Sequence, residues 1–172
     1  MFIAIVRHTP VWVWGLLAAL VAVGLAQTRD RELSLKRVTI LPLVLLALSA
    51  GGVLSAFGHA PVGPIAVGGW GAGLAAALTL ARHAVAVRGA AWLARSATLR
   101  VPGSWLPLVL ILALFALKYF VGVSLALHPA LASDTAFAGG CSLAYGGFSG
   151  LFLARALSLR ALARGPSAPQ AA

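Results

Sequence analysis

The sequence predicts an all-α fold: a polytopic membrane helix bundle of five transmembrane helices, N-terminus outside and C-terminus inside. Three observations carry this reading. Only 9% of the 172 residues are charged, against roughly 25% in a soluble domain. Hydrophobic residues make up 61%, and mean hydropathy is +0.99. Such a chain has too few polar side chains to cover a water-facing surface, so a soluble globule is excluded. The apolar runs approach the ~20 residues that about 30 Å of hydrocarbon requires at about 1.5 Å per residue. Finally, the basic residues fall between alternate runs, the signature of loops held in the cytoplasm. Arg29, Arg31, Lys36 and Arg37 follow the first run, Arg82, Arg88, Arg95 and Arg100 follow the third, and Arg155, Arg160 and Arg164 follow the fifth. The second and fourth connections contain no Lys or Arg, and Arg7 is the one basic residue ahead of the first run. A net charge of +10 therefore reports topology rather than nucleic-acid binding.

Span 1 covers about residues 10–27. Thr9-Pro10 is a favourable helix start, with Thr capping free N–H groups and Pro giving up none that was needed. Trp12 and Trp14 fall where an interfacial aromatic belt belongs. A cleaved signal peptide carries its positive end first. Here the basic residues follow the apolar stretch, so the segment is read as a retained span. After the charged linker 28–37, Ser34 caps span 2 (38–57), and Pro42 falls in its first turns, where a proline disturbs only the helix entry. Span 3 (65–81) is glycine-rich. Residues 82–104 are too charged to span and form an interfacial segment. Arg88 and Arg95 would share a helical face there, while the alternation around Thr98-Leu-Arg-Val101 fits a short strand equally well. Ser104 caps span 4 (105–127), and Ser133 or Asp134 caps span 5 (135–154). Residues 1–158 thus form a single membrane domain, and 159–172, ending in Pro-Ser-Ala-Pro-Gln-Ala-Ala, form a disordered tail.

Small residues at four-residue spacing allow helix backbones to approach closely. Gly69 and Gly73, Gly146 and Gly150, and Gly122 with Ala126 have this spacing, and packing within one monomer or across a homo-oligomer seam uses it. Cys141, the single cysteine, is a packing thiol among apolar neighbours.

Lys118 is the unusual residue. It falls well inside the hydrocarbon, where a cation costs about 2.5–3.5 kcal/mol on insertion scales. No carboxylate lies in any span, because the three acids are Asp30, Glu32 and Asp134. Lys118 therefore snorkels toward Asp134, is neutral, or faces a polar interior. Ser49, Trp70, Lys118 and Tyr145 fall at similar depths in four spans, with Tyr119 and Ser142 nearby. Together they would form an outward-opening polar cavity suited to an anionic or carbonyl-bearing ligand; the competing reading is a snorkelling lysine among ordinary packing residues. His8, His59 and His128 share the outer side and form a weaker metal or haem constellation, without a metal-site spacing. With no paired carboxylates, no Cys-x-x-Cys, no His-Glu-x-x-His and no phosphate-binding loop, the chain is not expected to be an enzyme or to hold a cofactor.

One series of residues resembles a known group. It runs through His8-Thr-Pro-x-Trp12, Gly24-Leu25 with Gln27, Ser34-Leu-x-x-Arg37 and Leu41-Pro-Leu43. It continues through Pro102-Gly-Ser-Trp-x-Pro-Leu108, Phe115 with Lys118-Tyr119, and Tyr145-Gly-x-Phe-Ser-Gly-Leu-Phe-x-x-Arg155. Together these are similar to an uncharacterised family of bacterial multi-span membrane proteins, a domain of unknown function. The resemblance implies residence in the bacterial cytoplasmic (inner) membrane and carries no activity. The expected role is a small accessory, assembly or structural subunit in contact with the bilayer and with another membrane protein or a second copy. A small-molecule binding or transport protein built on Lys118 is the alternative.

Overall fold

The computed structural model describes residues 10–80, 87, 89–93 and 96–164. The chain is mostly helical. Helix α1 spans Val11–Ala26, α2 Leu35–Phe57, α3 Gly63–Leu80, α4 Leu106–Leu127 and α5 Thr135–Arg164. Strands β1 (Arg31–Ser34), β2 (Ala91–Leu93) and β3 (Thr98–Val101) lie between them, and a 3-10 turn covers Pro129–Ser133. Four helices, α2 to α5, are long and apolar enough to cross a membrane. Helix α1 is equally apolar but has 16 residues, about 24 Å of rise.

Local chemistry sets the helix ends. Ser34 is the N-cap of α2, its hydroxyl accepting from the Arg37 N–H at 3.5 Å. Since α2 begins at Leu35 rather than near residue 38, Pro42 sits two turns inside the helix, where its missing N–H removes one rung of the ladder. Ser104 Oγ accepts from the Leu106 N–H at 3.3 Å at the start of α4. Asp134, rather than Ser133, caps α5, with its carboxylate accepting the Phe137 N–H at 2.6 Å. Pro10 occupies the N-cap of α1; Thr9 lies outside the described residues.

Helices α3 and α5 are the most closely joined pair, with close backbone approach from Gly69 to Ala77 on α3 and from Gly139 to Gly150 on α5. A Cβ at Gly69 would stand 2.8 Å from the Gly139 carbonyl oxygen, and one at Gly73 would overlap the Leu143 carbonyl. A Cβ at Gly146 would overlap the Trp70 carbonyl, and one at Gly150 would lie 2.6 Å from Ala77 Cβ. At each of these four positions the facing helix leaves no room for a side chain. Gly122 is different: nothing lies within 4 Å of the position its Cβ would take. Helix α1 meets α4 at the opposite end, where Gly24 rests on Leu108, and the two helices leave a groove at Gly122.

The helical bundle carries one small sheet at one end. Strands β1, β3 and β2 form an antiparallel sheet in that order, with Arg31 opposite Val101 and Ser34 opposite Thr98. Of the two conformations open for the segment 82–104, its described part takes the strand. The reason is burial at period two: Leu99 and Val101 are buried while Arg100 is exposed, and Glu32 stands directly opposite Arg100. Arg82, Arg88 and Arg95 lie outside the described residues.

The sheet also changes the end of α5. The helix passes the expected limit at Ala154 and runs through residues 159–164, so the boundary placed at 158 is wrong for these six residues. Ala156 and Leu159 are buried against Val38, Leu99 and Val101, and this contact keeps the extension helical. Residues 165–172 lie outside the described residues.

Candidate functional site

The six residues proposed for one polar cavity separate into two places. In the first, Ser49 on α2, Trp70 on α3 and Tyr145 on α5 converge. The Trp70 indole N–H donates to Ser49 Oγ at 3.1 Å, and the Ser49 hydroxyl donates to the Tyr145 carbonyl at 3.3 Å. Ser149 donates to the same carbonyl at 2.9 Å. These groups satisfy one another across three helices, as polar groups away from water must. Ser142 is fully buried one turn from Tyr145, and its Oγ has no hydrogen-bond partner among the described residues.

The second place is built on Lys118 and Tyr119. Both line a groove of about 440 Å³ between α4 and the start of α1, with Trp12, Leu16, Phe115 and Gly122 among its walls. The Tyr119 ring stacks on Phe115 at 6.4 Å between centroids. Lys118 connects the two places. Its Nζ lies 6.0 Å from the centroid of the Tyr145 ring, and a Cβ at Gly52 would be 3.1 Å from that nitrogen. The ammonium thus has an aromatic face nearby, which softens the electrostatic cost of its position. The groove between α1 and α4 is mostly apolar, with Lys118 and Tyr119 as its polar side chains. The reason for the split is that the serine and the indole are already engaged with each other.

His59 sits in the turn after α2 and His128 at the end of α4, both exposed, while His8 lies outside the described residues. Among the described residues no group of three or more His, Cys, Asp or Glu could hold a metal ion.

Comparison with known proteins rests on nearly the whole chain. A family model for a family of unknown function (DUF6622) matches residues 1–170. The chain belongs to that family. An uncharacterized protein of Pasteurella multocida is 42% identical over 45 residues, 26% of this chain and 35% of that protein. The chain thus spans about a third of the length of the curated relative it matches. No solved structure matches.

Several contacts carry no spacing signal in the sequence. Gly24 against Leu108 is one, and Gly103 against the Thr28 carbonyl is another. Gln27 and Arg31 are a third: the guanidinium donates to the Gln27 side-chain oxygen at 2.9 Å, with Gln27 itself buried. In sequence Arg31 reads only as a topology signal.

Proposed function

We propose that this protein is a five-span, N-out and C-in protein of the bacterial cytoplasmic membrane, acting as a small accessory or assembly subunit through helix–helix contacts. The observation that carries the reading is the face of α3 turned away from α5. Gly68, Ala72, Ala75 and Thr79 recur at spacings of four, three and four and are all exposed. Nothing lies within 4 Å of a Cβ at Gly68, and the Thr79 hydroxyl is folded back on the Ala75 carbonyl at 2.9 Å. A purely lipid-facing surface has no need of small residues, whereas a second helix does. Helix α3 therefore presents two small-residue faces, one filled by α5 and one open.

Two further features support the reading. Five of the nine described Lys and Arg residues, Arg29, Arg31, Lys36, Arg37 and Arg100, lie in or beside the sheet strands, in keeping with a cytoplasmic sheet end. Asp30 and Asp134 are engaged with backbone N–H groups of Gly103 and Phe137, which leaves little for acid–base catalysis. Gly68→Leu combined with Ala72→Leu is expected to leave the isolated protein folded and to abolish its larger assembly on native gels of mild-detergent extracts. A wild-type protein that migrates as a lone monomer in those extracts overturns the reading.

The Lys118 groove supports a second reading, binding of a small amphipathic anion. Dodecanoate is expected to raise the unfolding temperature in detergent where dodecanol does not, and Lys118→Leu is expected to erase the difference. Equal shifts from the acid and the alcohol would remove this reading.

A further inference from the structure

A second cavity, of about 450 Å³, lies at the sheet end between α1, the start of α2 and the end of α5. Its walls are mostly apolar, with Val38, Pro42 and Phe152 among them, yet Arg31, Arg37 and Arg155 all line it. Among the described residues no carboxylate pairs with any of the three. Asp30 accepts the Gly103 N–H at 2.8 Å, and Glu32 accepts the Thr98 hydroxyl at 3.1 Å. Arg31 is held in place by buried Gln27, and burial pushes its guanidinium below the usual arginine pKa range. Arg31 and Arg155 are also near enough to repel each other. Like charges drawn partly out of water without a counter-ion are costly. They are normally compensated by an anion suited to guanidinium donors, and phosphate is such an anion.

We infer that this cavity is a binding site for one anionic phospholipid, its phosphate held by Arg31, Arg37 and Arg155 and an acyl chain lying on the apolar wall beneath them. The combination is what identifies the occupant. A free phosphate has no use for Val38, Pro42 and Phe152, and a zwitterionic lipid brings a positive group toward three arginines. Basic pockets between transmembrane helices are a recurring form of lipid headgroup site. The inference goes beyond the accessory-subunit reading and does not depend on the open face of α3.

Native mass spectrometry of the full chain in detergent, titrated with phosphatidylglycerol or with phosphatidylcholine of the same acyl chains, tests it. One phosphatidylglycerol should be retained preferentially. Arg155→Gln should weaken its binding about fivefold, the equivalent of about 1 kcal/mol for one basic residue near an anionic headgroup. Arg29→Gln removes the same charge outside the cavity and should leave binding unchanged. Wild-type protein that retains both lipids equally would overturn the inference without recourse to any variant. So would equal losses in the Arg155 and Arg29 variants, which would indicate net charge alone. Full competition by inorganic phosphate at millimolar concentration would also overturn it, since the site would then hold free phosphate rather than lipid.

Discussion

Gly146→Leu is expected to separate α3 from α5 and to destabilise the protein by about 3 kcal/mol. A Cβ at this position would overlap the Trp70 carbonyl and stand 2.9 Å from the Leu74 nitrogen. Both are helix backbone, and a backbone cannot swing aside as the end of a side chain can. The helices must therefore move apart, which thins the dispersion contacts along the whole seam. The seam also anchors the polar relay, because Trp70 rides on α3 and the Tyr145 carbonyl belongs to α5. Separation breaks one link of that relay and leaves the Trp70 N–H or the Ser49 hydroxyl without its acceptor, while Ser149 on the same helix keeps the Tyr145 carbonyl paired. Gly122→Leu is the matched control. It adds the same side chain to a helix glycine with open space around it, and should change stability by no more than about 0.5 kcal/mol. Unfolding of both variants by a denaturing detergent, followed by tryptophan fluorescence, compares them. Equal effects would mean that the glycine seam does not hold the bundle together.

Leu99→Ala should produce the second large loss, about 3 kcal/mol, confined to the sheet end. Leu99 is fully buried and lies with Val38, Val101, Ala156 and Leu159. Removing three carbons from such a site forfeits transfer free energy and leaves a cavity that a short sheet and two helix ends refill incompletely. The loss should appear first where those partners are held. Amide hydrogen exchange should accelerate in β1 and in α5 beyond Arg155, while amides between Gly69 and Ala77 keep their protection. Uniform acceleration across both regions would show that the sheet end and the glycine seam unfold as one unit. The paired outcome bears on the lipid inference as well, since Val38 and Leu159 belong both to this cluster and to the wall of the arginine-lined cavity.

Much of this molecule is legible in its sequence because the signals are short-range. Ser34 and Asp134 cap the helices that follow them, for the cap hydrogen bond closes within three residues. The four-residue glycine spacings in α3 and α5 mark the faces that meet, since that spacing places small residues on one side of a helix. Composition alone indicates the membrane class. Ser49, Trp70, Lys118 and Tyr145 fall at similar depths in four spans, but depth along a helix does not decide which of them hydrogen-bond to each other. Gly122 shows the limit of spacing arguments. It obeys the small-residue rule, yet no neighbouring helix comes within 4 Å of the place its Cβ would take, whereas Gly24 at the other end of the pair rests on Leu108.

What the sequence by itself determined is the class of solvent the chain is built for, the positions of its helices and the faces along which two of them join. These follow from hydropathy, capping and periodicity, each decided within a few turns of chain. The tertiary structure alone decided that residues 31–34 pair with 98–101, that α5 continues to Arg164, and that Arg31, Arg37 and Arg155 surround one apolar cavity. Each of these depends on contacts between segments tens of residues apart. A short polar segment such as Arg31–Ser34 becomes a strand only when a partner supplies its hydrogen bonds, and a charge becomes part of a site only when the fold gathers others around it.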